Sequence, residues 1–365
     1  MSFCDLALDC VTQLQPYVPG KPIEELEREL GVTNIVKLAS NENPLGPSDK
    51  VLAAITEASK DLTRYPDGNG FTLKSALADK YQLNVDQITL GNGSNDVLEL
   101  IARTFVSPNN EVLFSQYAFA IYPLVTQAIG AKAVIAPARD YGHDLQAMST
   151  LITDKTKLIF IANPNNPTGT YLVADELEAF IAQVPQQTLV VLDEAYVEYG
   201  DLDVNTIDWL EKYSNLIITR TFSKAYGLAG LRVGYALSHL EVADLLNRIR
   251  QPFNVNALAL ASAAVALKDD AYIAQTKQLN KQGMAQLIAG FDRLALSYIP
   301  SKGNFITVDV QRNAEEVFSG LLHQGVIVRP VGNYGLPQHI RVSIGLEEEN
   351  QRFLDALTTI LGKIS

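Results

Sequence analysis

An α/β domain with a mostly parallel sheet, joined to a smaller α+β domain, is the fold this sequence predicts, and three observations predict it. Between about residues 87 and 236, short β-branched apolar runs alternate with longer stretches of helical spacing. After about residue 251 that alternation stops, and long helical stretches precede a few short strands. The chain has 365 residues, 47% hydrophobic and 19% charged, which suits a well-packed globule too long for one ordinary core.

The elements follow in order. The arm through Leu38 carries no strand run of its own and is expected to pack against the smaller domain. Seven strands are expected at 88–90, 111–114, 133–136, 158–162, 189–193, 216–220 and 233–237. Helical spacing fills 96–105, 118–129 and 174–183, which places the strands in one sheet between helices. Functional groups then belong beyond the carboxyl ends of those strands. Helices are expected at 257–268 and 271–291, strands at 305–310, 326–328 and 340–344, and further helices at 314–323 and 347–361. The resulting division is an arm (1–40), a large α/β domain (41–255) and a small α+β domain (256–365).

Composition removes several classes of function. Basic residues number 29 and acidic residues 41, a formal net charge of −12. So acidic a surface repels phosphodiester backbones and anionic lipid, so neither nucleic acid nor membrane is an expected partner. The two cysteines, Cys4 and Cys10, make a poor disulfide framework, and no CxxC pattern or Cys/His cluster suggests zinc. His143, His239, His323 and His339 fall outside every motif, so no metal site is expected. The opening MSFCDLALDC lacks the pattern of a signal peptide, and no apolar run is long enough to span a bilayer. A reduced, cytoplasmic protein is the expectation.

Four segments carry the chemistry. In TFSKAYGLAGLRVGY (221–235), Lys224 and Arg232 sit among small and apolar residues typical of an interior. A lysine desolvated beside another cation loses pKa and becomes a nucleophile, and the arginine fork suits phosphate. The pair suggests a lysine that forms a Schiff base beside an anchored phosphate. Upstream, VVLDEAYVEY (190–199) reads as an apolar strand ending in Asp193, with Tyr196 three residues on; a carboxylate there could equally cap a turn. NPNNPTG (163–169) is a turn-rich loop after a strand, which could be only a tight connection. LGNGSND (90–96) lies between strand and helix, where glycines let backbone N–H groups approach a phosphate. It is not a full dinucleotide fingerprint, since no GxGxxG follows.

Together the four segments resemble the large domain of fold-type I aminotransferases, which depend on pyridoxal phosphate. The phrases LQPYVPGKPIEELERELG, KLASNENPLGPS, RYPDGNG and RVSIGLEEEN resemble the histidinol-phosphate aminotransferases in particular, from about Leu14 to Glu349. That resemblance implies a homodimeric transaminase of histidine biosynthesis, moving an amino group between L-histidinol phosphate and 2-oxoglutarate by a ping-pong mechanism. It implies that Lys224 carries pyridoxal 5′-phosphate and shuttles the substrate proton. Asp193 would hold the pyridine nitrogen protonated, and Tyr196 and Asn166 would bond its phenolic oxygen. Ser94, Asn95, Ser223 and Arg232 would hold the phosphate, with Tyr65 reaching it from the neighbouring subunit. Phe119 would stack on the ring in a place where many relatives have tyrosine, with Tyr117 and Tyr122 as the competing registers. Arg341 would grip substrate carboxylate or phosphate, with Tyr17, Asn43 and Arg329 completing that pocket. Tyr65 could instead be a packing residue near a turn, and Arg329 and Arg341 surface charges.

Other readings share the core motifs. A transaminase for aromatic amino acids, or a lyase such as a phosphothreonine decarboxylase, would keep Asn166, Asp193, Lys224 and Arg232 and differ in the substrate pocket. A ligand-sensing module of a transcription regulator would need a DNA-binding partner domain, which the acidic balance disfavours. A nicotinamide dehydrogenase would need the fingerprint that is missing.

Overall fold

Alternation along the strands builds the larger sheet. From Thr156–Ala162, Leu158, Phe160 and Ala162 enter one apolar cluster while Ile159 and Ile161 enter another across the sheet. Val191 and Leu192 part in the same way. Both faces are therefore buried, as a parallel sheet between helices requires. The computed structural model describes residues 2–17, 19–200 and 204–363.

The seven strands are β1 (Ile88–Gly91), β2 (Glu111–Ser115), β3 (Lys132–Ala136), β4 (Thr156–Ala162), β5 (Leu189–Asp193), β6 (Leu216–Thr221) and β7 (Gly234–Ser238). They lie in the order β1-β7-β6-β5-β4-β2-β3. Only β7 runs antiparallel to its neighbours in this sheet. Its first residue, Gly234, pairs with both Gly91 and Thr221, so the entry to β7 lies at the edge where β1 and β6 end. The seven expected strands are all present, with ends shifted by one or two residues.

The smaller domain has a four-stranded antiparallel sheet in the order Tyr298–Ile299, Phe305–Asp309, His339–Ser343 and Arg329–Pro330. The helices Asp270–Arg293, Ala314–His323 and Glu347–Lys363 pack on it through Leu287, Phe291, Val317, Leu321, Phe353 and Leu357. Two expectations need correction: the helix Ala257–Ala266, placed in the smaller domain, packs into the large domain's core through Ala259 and Ala263, and the arm does contain a strand. Val36–Lys37 pairs in parallel with Val326–Ile327, and Leu38 enters the smaller domain's core. Two residues leave no periodicity to read, because the pairing partner lies some 290 residues away and not in the local pattern.

Candidate active site

The ends of β1, β4, β5 and β6 and the start of β7 open onto one cavity of about 370 Å³. Its wall includes Ser94 and Asn95 after β1, Asn166 after β4, Asp193 and Tyr196 at the end of β5, Ser223 and Lys224 after β6, and Arg232 before β7. Phe119, Tyr17, Arg329 and Arg341 also line it. Four sequence segments far apart thus meet because parallel strands end at one edge, with β7 reversed to bring Arg232 there.

One end of the cavity is a concentrated anion site. The helix Ser94–Phe105 begins at the wall, with its first N–H groups unpaired along the helix. Gly93 has φ +82°, and a Cβ there would lie 2.5 Å from an Arg232 guanidinium nitrogen. Glycine is what permits that approach. Gly234 plays the same part from β7, where a Cβ would meet the Ser94 amide nitrogen at 2.4 Å. Arg232 itself holds a left-handed backbone, φ 57°, and its Nη1 donates to the Ala229 carbonyl at 3.0 Å and to Ser223 Oγ at 3.4 Å.

Lys224 Nζ donates to the Ser40 carbonyl at 2.8 Å. Burial first, then the charges of Arg341 and Arg232, bring its pKa down to about 7, against the opposing pull of Glu42. Asp193 is buried, and burial pushes its carboxyl up to about 6 although the Tyr122 hydrogen bond works the other way. Its Oδ2 accepts from the Tyr122 hydroxyl at 2.8 Å, whereas its Oδ1 is buried without a partner. Tyr196 Oη accepts from Asn41 Nδ2 at 2.9 Å and from Asn166 Nδ2 at 3.2 Å, which leaves its own proton to donate elsewhere. Burial raises that phenol to about 12, so it stays protonated near neutrality.

Across the cavity, Arg341 and Arg329 are paired residues of neighbouring strands. Arg341 donates to Asn166 Oδ1 at 2.5 Å and to the Ala39 carbonyl at 2.7 Å, and its buried Nε has no partner. The Arg329 guanidinium lies 5.8 Å from the centre of the Tyr17 ring. Tyr334 closes this side.

Two expected residues lie elsewhere. Asn43 is buried behind the wall, where its Nδ2 donates to the Ala225 carbonyl at 2.9 Å, Thr276 Oγ1 at 3.0 Å and Tyr272 Oη at 3.1 Å. It props the turn that carries Lys224, and the asparagine that reaches the cavity is Asn41. Tyr65 is 82% exposed, outside the cavity of its own chain, and stacks on Phe253 with ring centres 4.7 Å apart. Among the three aromatic registers, Phe119 is on the wall, Tyr117 faces Tyr141, and Tyr122 is buried behind.

Sequence reasoning missed Ser40, Asn41, Glu42 and Tyr334, and named Tyr122 only as a possible stacking ring, not as the partner of Asp193. Ser40, Asn41 and Glu42 stand in the KLASNENPLGPS phrase, whose polar density in a chain otherwise apolar there was the available signal. Tyr122 carried a weaker one, strand parity: Asp193 shares the face of Val191, which the helix Ile121–Ile129 covers.

Comparison with known proteins places this geometry. The model of the family described as aminotransferase class I and II matches residues 33–357. A histidinol-phosphate aminotransferase 2 of Pseudomonas fluorescens is 60% identical over 99% of this chain and 99% of its own. A histidinol-phosphate aminotransferase 1 of Idiomarina loihiensis is 59% identical over 96% of both. Among solved structures, the histidinol-phosphate aminotransferase of Sinorhizobium meliloti in complex with pyridoxal-5′-phosphate superimposes with a TM-score of 0.92, at 30% identity over 98% of each chain.

Proposed function

The chain belongs to the histidinol-phosphate aminotransferases, within the class I and II aminotransferase family, and on that premise we propose that it moves an amino group between L-histidinol phosphate and 2-oxoglutarate, in histidine biosynthesis. The observation that carries the reading is one cavity holding a low-pKa lysine, an anion cradle, a half-partnered buried carboxylate and two arginines.

Its cofactor is pyridoxal 5′-phosphate, and the residues present fit that group. The unpartnered Asp193 Oδ1 matches a cationic ring N–H; the space over Gly93 beside Arg232 and Ser223 matches a phosphate; and Lys224, at about 7, matches an aldehyde. When bound, the cofactor supplies a protonated pyridine ring that takes up the electron pair left at the substrate Cα.

The chain's own residues do the rest. Lys224, its pKa brought down to about 7, can give up its proton near neutrality, so it could hold the cofactor and later take a proton from the substrate Cα and return it to the product. Asp193, next to a ring cation, is driven to its ionised form and keeps the nitrogen proton in place. Tyr196 and Asn166 present a hydroxyl and an amide to the cofactor's phenolic oxygen. Ser94, Asn95, Ser223 and Arg232 would hold its phosphate, and Phe119, on the same wall, would offer its ring to the cofactor. Arg341 and Arg329, flanked by Tyr17, receive the anionic end of the substrate: the phosphate of histidinol phosphate in one half-reaction, a carboxylate of glutamate or 2-oxoglutarate in the other. Two arginines side by side suit both.

We read the working unit as a cytoplasmic homodimer in which Tyr65 contacts the cofactor phosphate of the neighbouring subunit. The support is its exposed ring, stacked on Phe253 and followed in the chain by the exposed Phe71. The two cysteines, both free thiols, accord with the cytoplasm. Among the described residues no helix is long and apolar enough to cross a membrane.

A panel of amino donors with 2-oxoglutarate, read by the glutamate formed, tests the substrate. Histidinol phosphate should give the highest kcat/KM. A phenylalanine or tyrosine value above it would move the assignment to an aromatic transaminase.

A further inference from the structure

Tyr122 lies outside the cavity, fully buried, at the second position of the helix Ile121–Ile129. Its ring lies flat on Phe160 of β4, 4.4 Å between centres and 4° between planes, and meets the edge of Phe119 at 87°. Both contacts leave the ring little freedom to turn. Its hydroxyl has one purpose visible in the structure, the 2.8 Å hydrogen bond to Asp193 Oδ2. Asp193 belongs to the cavity wall and Tyr122 does not, so the tyrosine takes the carboxylate from behind. The other carboxylate oxygen, Oδ1, is left buried and unpartnered.

We propose that Tyr122 is a positioning residue for the cofactor: its hydroxyl fixes the Asp193 carboxylate in its anionic form and reserves Oδ1 for the pyridine N–H. This rests on the assignment of pyridoxal phosphate to the cavity. A neutral donor suits the task better than a cation. A lysine or arginine in that place would satisfy the carboxylate and compete with the ring nitrogen for its charge, whereas a phenol stabilises the anion and leaves its full charge to face the cavity. The neighbouring carboxylate shows the contrast. Glu194 is bound by Arg220 at 2.7 Å and by Thr206, and no oxygen of it is left over for a ligand.

The test is a double-mutant cycle on cofactor affinity, measured by titrating apoenzyme with pyridoxal 5′-phosphate and following protein fluorescence. Tyr122→Phe should weaken binding about tenfold or more, the effect of removing a hydrogen bond to a charged group. In an Asp193→Ala background the same change should alter affinity by less than about twofold, because the tyrosine then has nothing to position. Equal losses in both backgrounds would overturn the proposal and leave Tyr122 a packing residue. Wild-type apoenzyme that takes up no pyridoxal phosphate would overturn the cofactor assignment and this proposal with it; tight wild-type binding with additive losses overturns the proposal alone. Should Tyr122→Phe fail to fold, 3-fluorotyrosine at position 122 keeps both ring and hydroxyl and makes the latter a stronger donor. By lowering the basicity of Asp193 it should move the ¹⁵N resonance of pyridine-labelled cofactor toward the protonated limit, and an unmoved resonance would overturn the proposal.

Discussion

Ser94, Asp193, Tyr196, Ser223, Lys224 and Arg232 reach the cavity from the strand ends of one sheet, whereas Tyr17, Ser40, Asn41, Arg329 and Arg341 reach it from the arm and the smaller domain. The first wall is fixed by backbone pairing: Ala162, Asp193 and Thr219 are successive register partners across β4, β5 and β6. The second is also strand-paired within the smaller domain and at Val36–Lys37, but side chains carry the join between the arm beyond that strand and the smaller domain. Ser343 Oγ accepts from the Asn41 amide at 2.8 Å, Asn304 Nδ2 donates to the Asn41 carbonyl at 3.0 Å, and Arg341 donates to Ala39. Asn41 then passes the contact to Tyr196 on the first wall. A wall made of sheet suits a permanent cofactor, and a wall made of interdomain hydrogen bonds suits substrates that must exchange in every half-reaction.

Breaking the sheet-built wall should have the largest effects. On the proposed assignment Lys224→Ala would remove both the cofactor's attachment and the proton carrier, so transamination should disappear while far-UV circular dichroism stays native; a variant that kept wild-type turnover would refute the role. The same residue sets a pH dependence. Its folded pKa is depressed to about 7, so the free amine is scarce at pH 6 and dominant at pH 8. The rate at which apoenzyme recaptures pyridoxal phosphate should rise through pH 7 and level off above it, as stopped-flow absorbance can follow.

If Asp193 holds the pyridine nitrogen as proposed, Asp193→Asn would leave a neutral amide opposite it. The expected loss is about 3–5 kcal/mol of transition-state stabilisation, comparable to breaking a buried charge pair. Single-turnover rates within tenfold of wild type would reduce Asp193 to a strand-end cap.

On the wall built by the arm and the smaller domain the losses should be smaller and should fall on substrate, not cofactor. Arg341→Lys keeps the charge but loses the fork that spans Asn166, Ala39 and an incoming anion. About 2–3 kcal/mol should be lost from kcat/KM, with pyridoxal phosphate affinity unchanged within about twofold. A parallel loss of cofactor affinity would show that the two walls are not separable.

The smallest effect concerns Tyr65, whose proposed hydrogen bond to the cofactor phosphate across a dimer interface would be worth about 1.5–3 kcal/mol. Exchange of Lys224→Ala subunits with Tyr65→Ala subunits should create one intact site in each hybrid dimer. With random reassortment about a quarter of all sites recover. Activity that never exceeds the parental average, despite proven exchange, would return Tyr65 to its own subunit.

Much of the sheet-built wall was legible in the chain. Lys224 stands out because charged groups are scarce in TFSKAYGLAGLR, and Asp193 because a carboxylate closes an apolar run. Asn41 and Tyr122 were not legible, since their partners Tyr196 and Asp193 lie 155 and 71 residues away. Asn43 misled for the same reason. It is chemically identical to Asn41 and two residues distant, and only the left-handed turn at Asn41, φ 53°, decides which of the two faces the cavity.

The sequence by itself determined the seven strands, their order along the chain and the residue types at their ends, because period-2 burial and turn chemistry are local properties. The tertiary structure decided which strand reverses, and with it why Arg232 meets Gly93. It also decided that the arm adds a strand to the smaller domain, and which oxygen of Asp193 is held and which is left for a ligand. Those choices rest on contacts between residues far apart in the chain, whose closure is driven by burial of both sheet faces and of the smaller domain's core, and no local pattern encodes them.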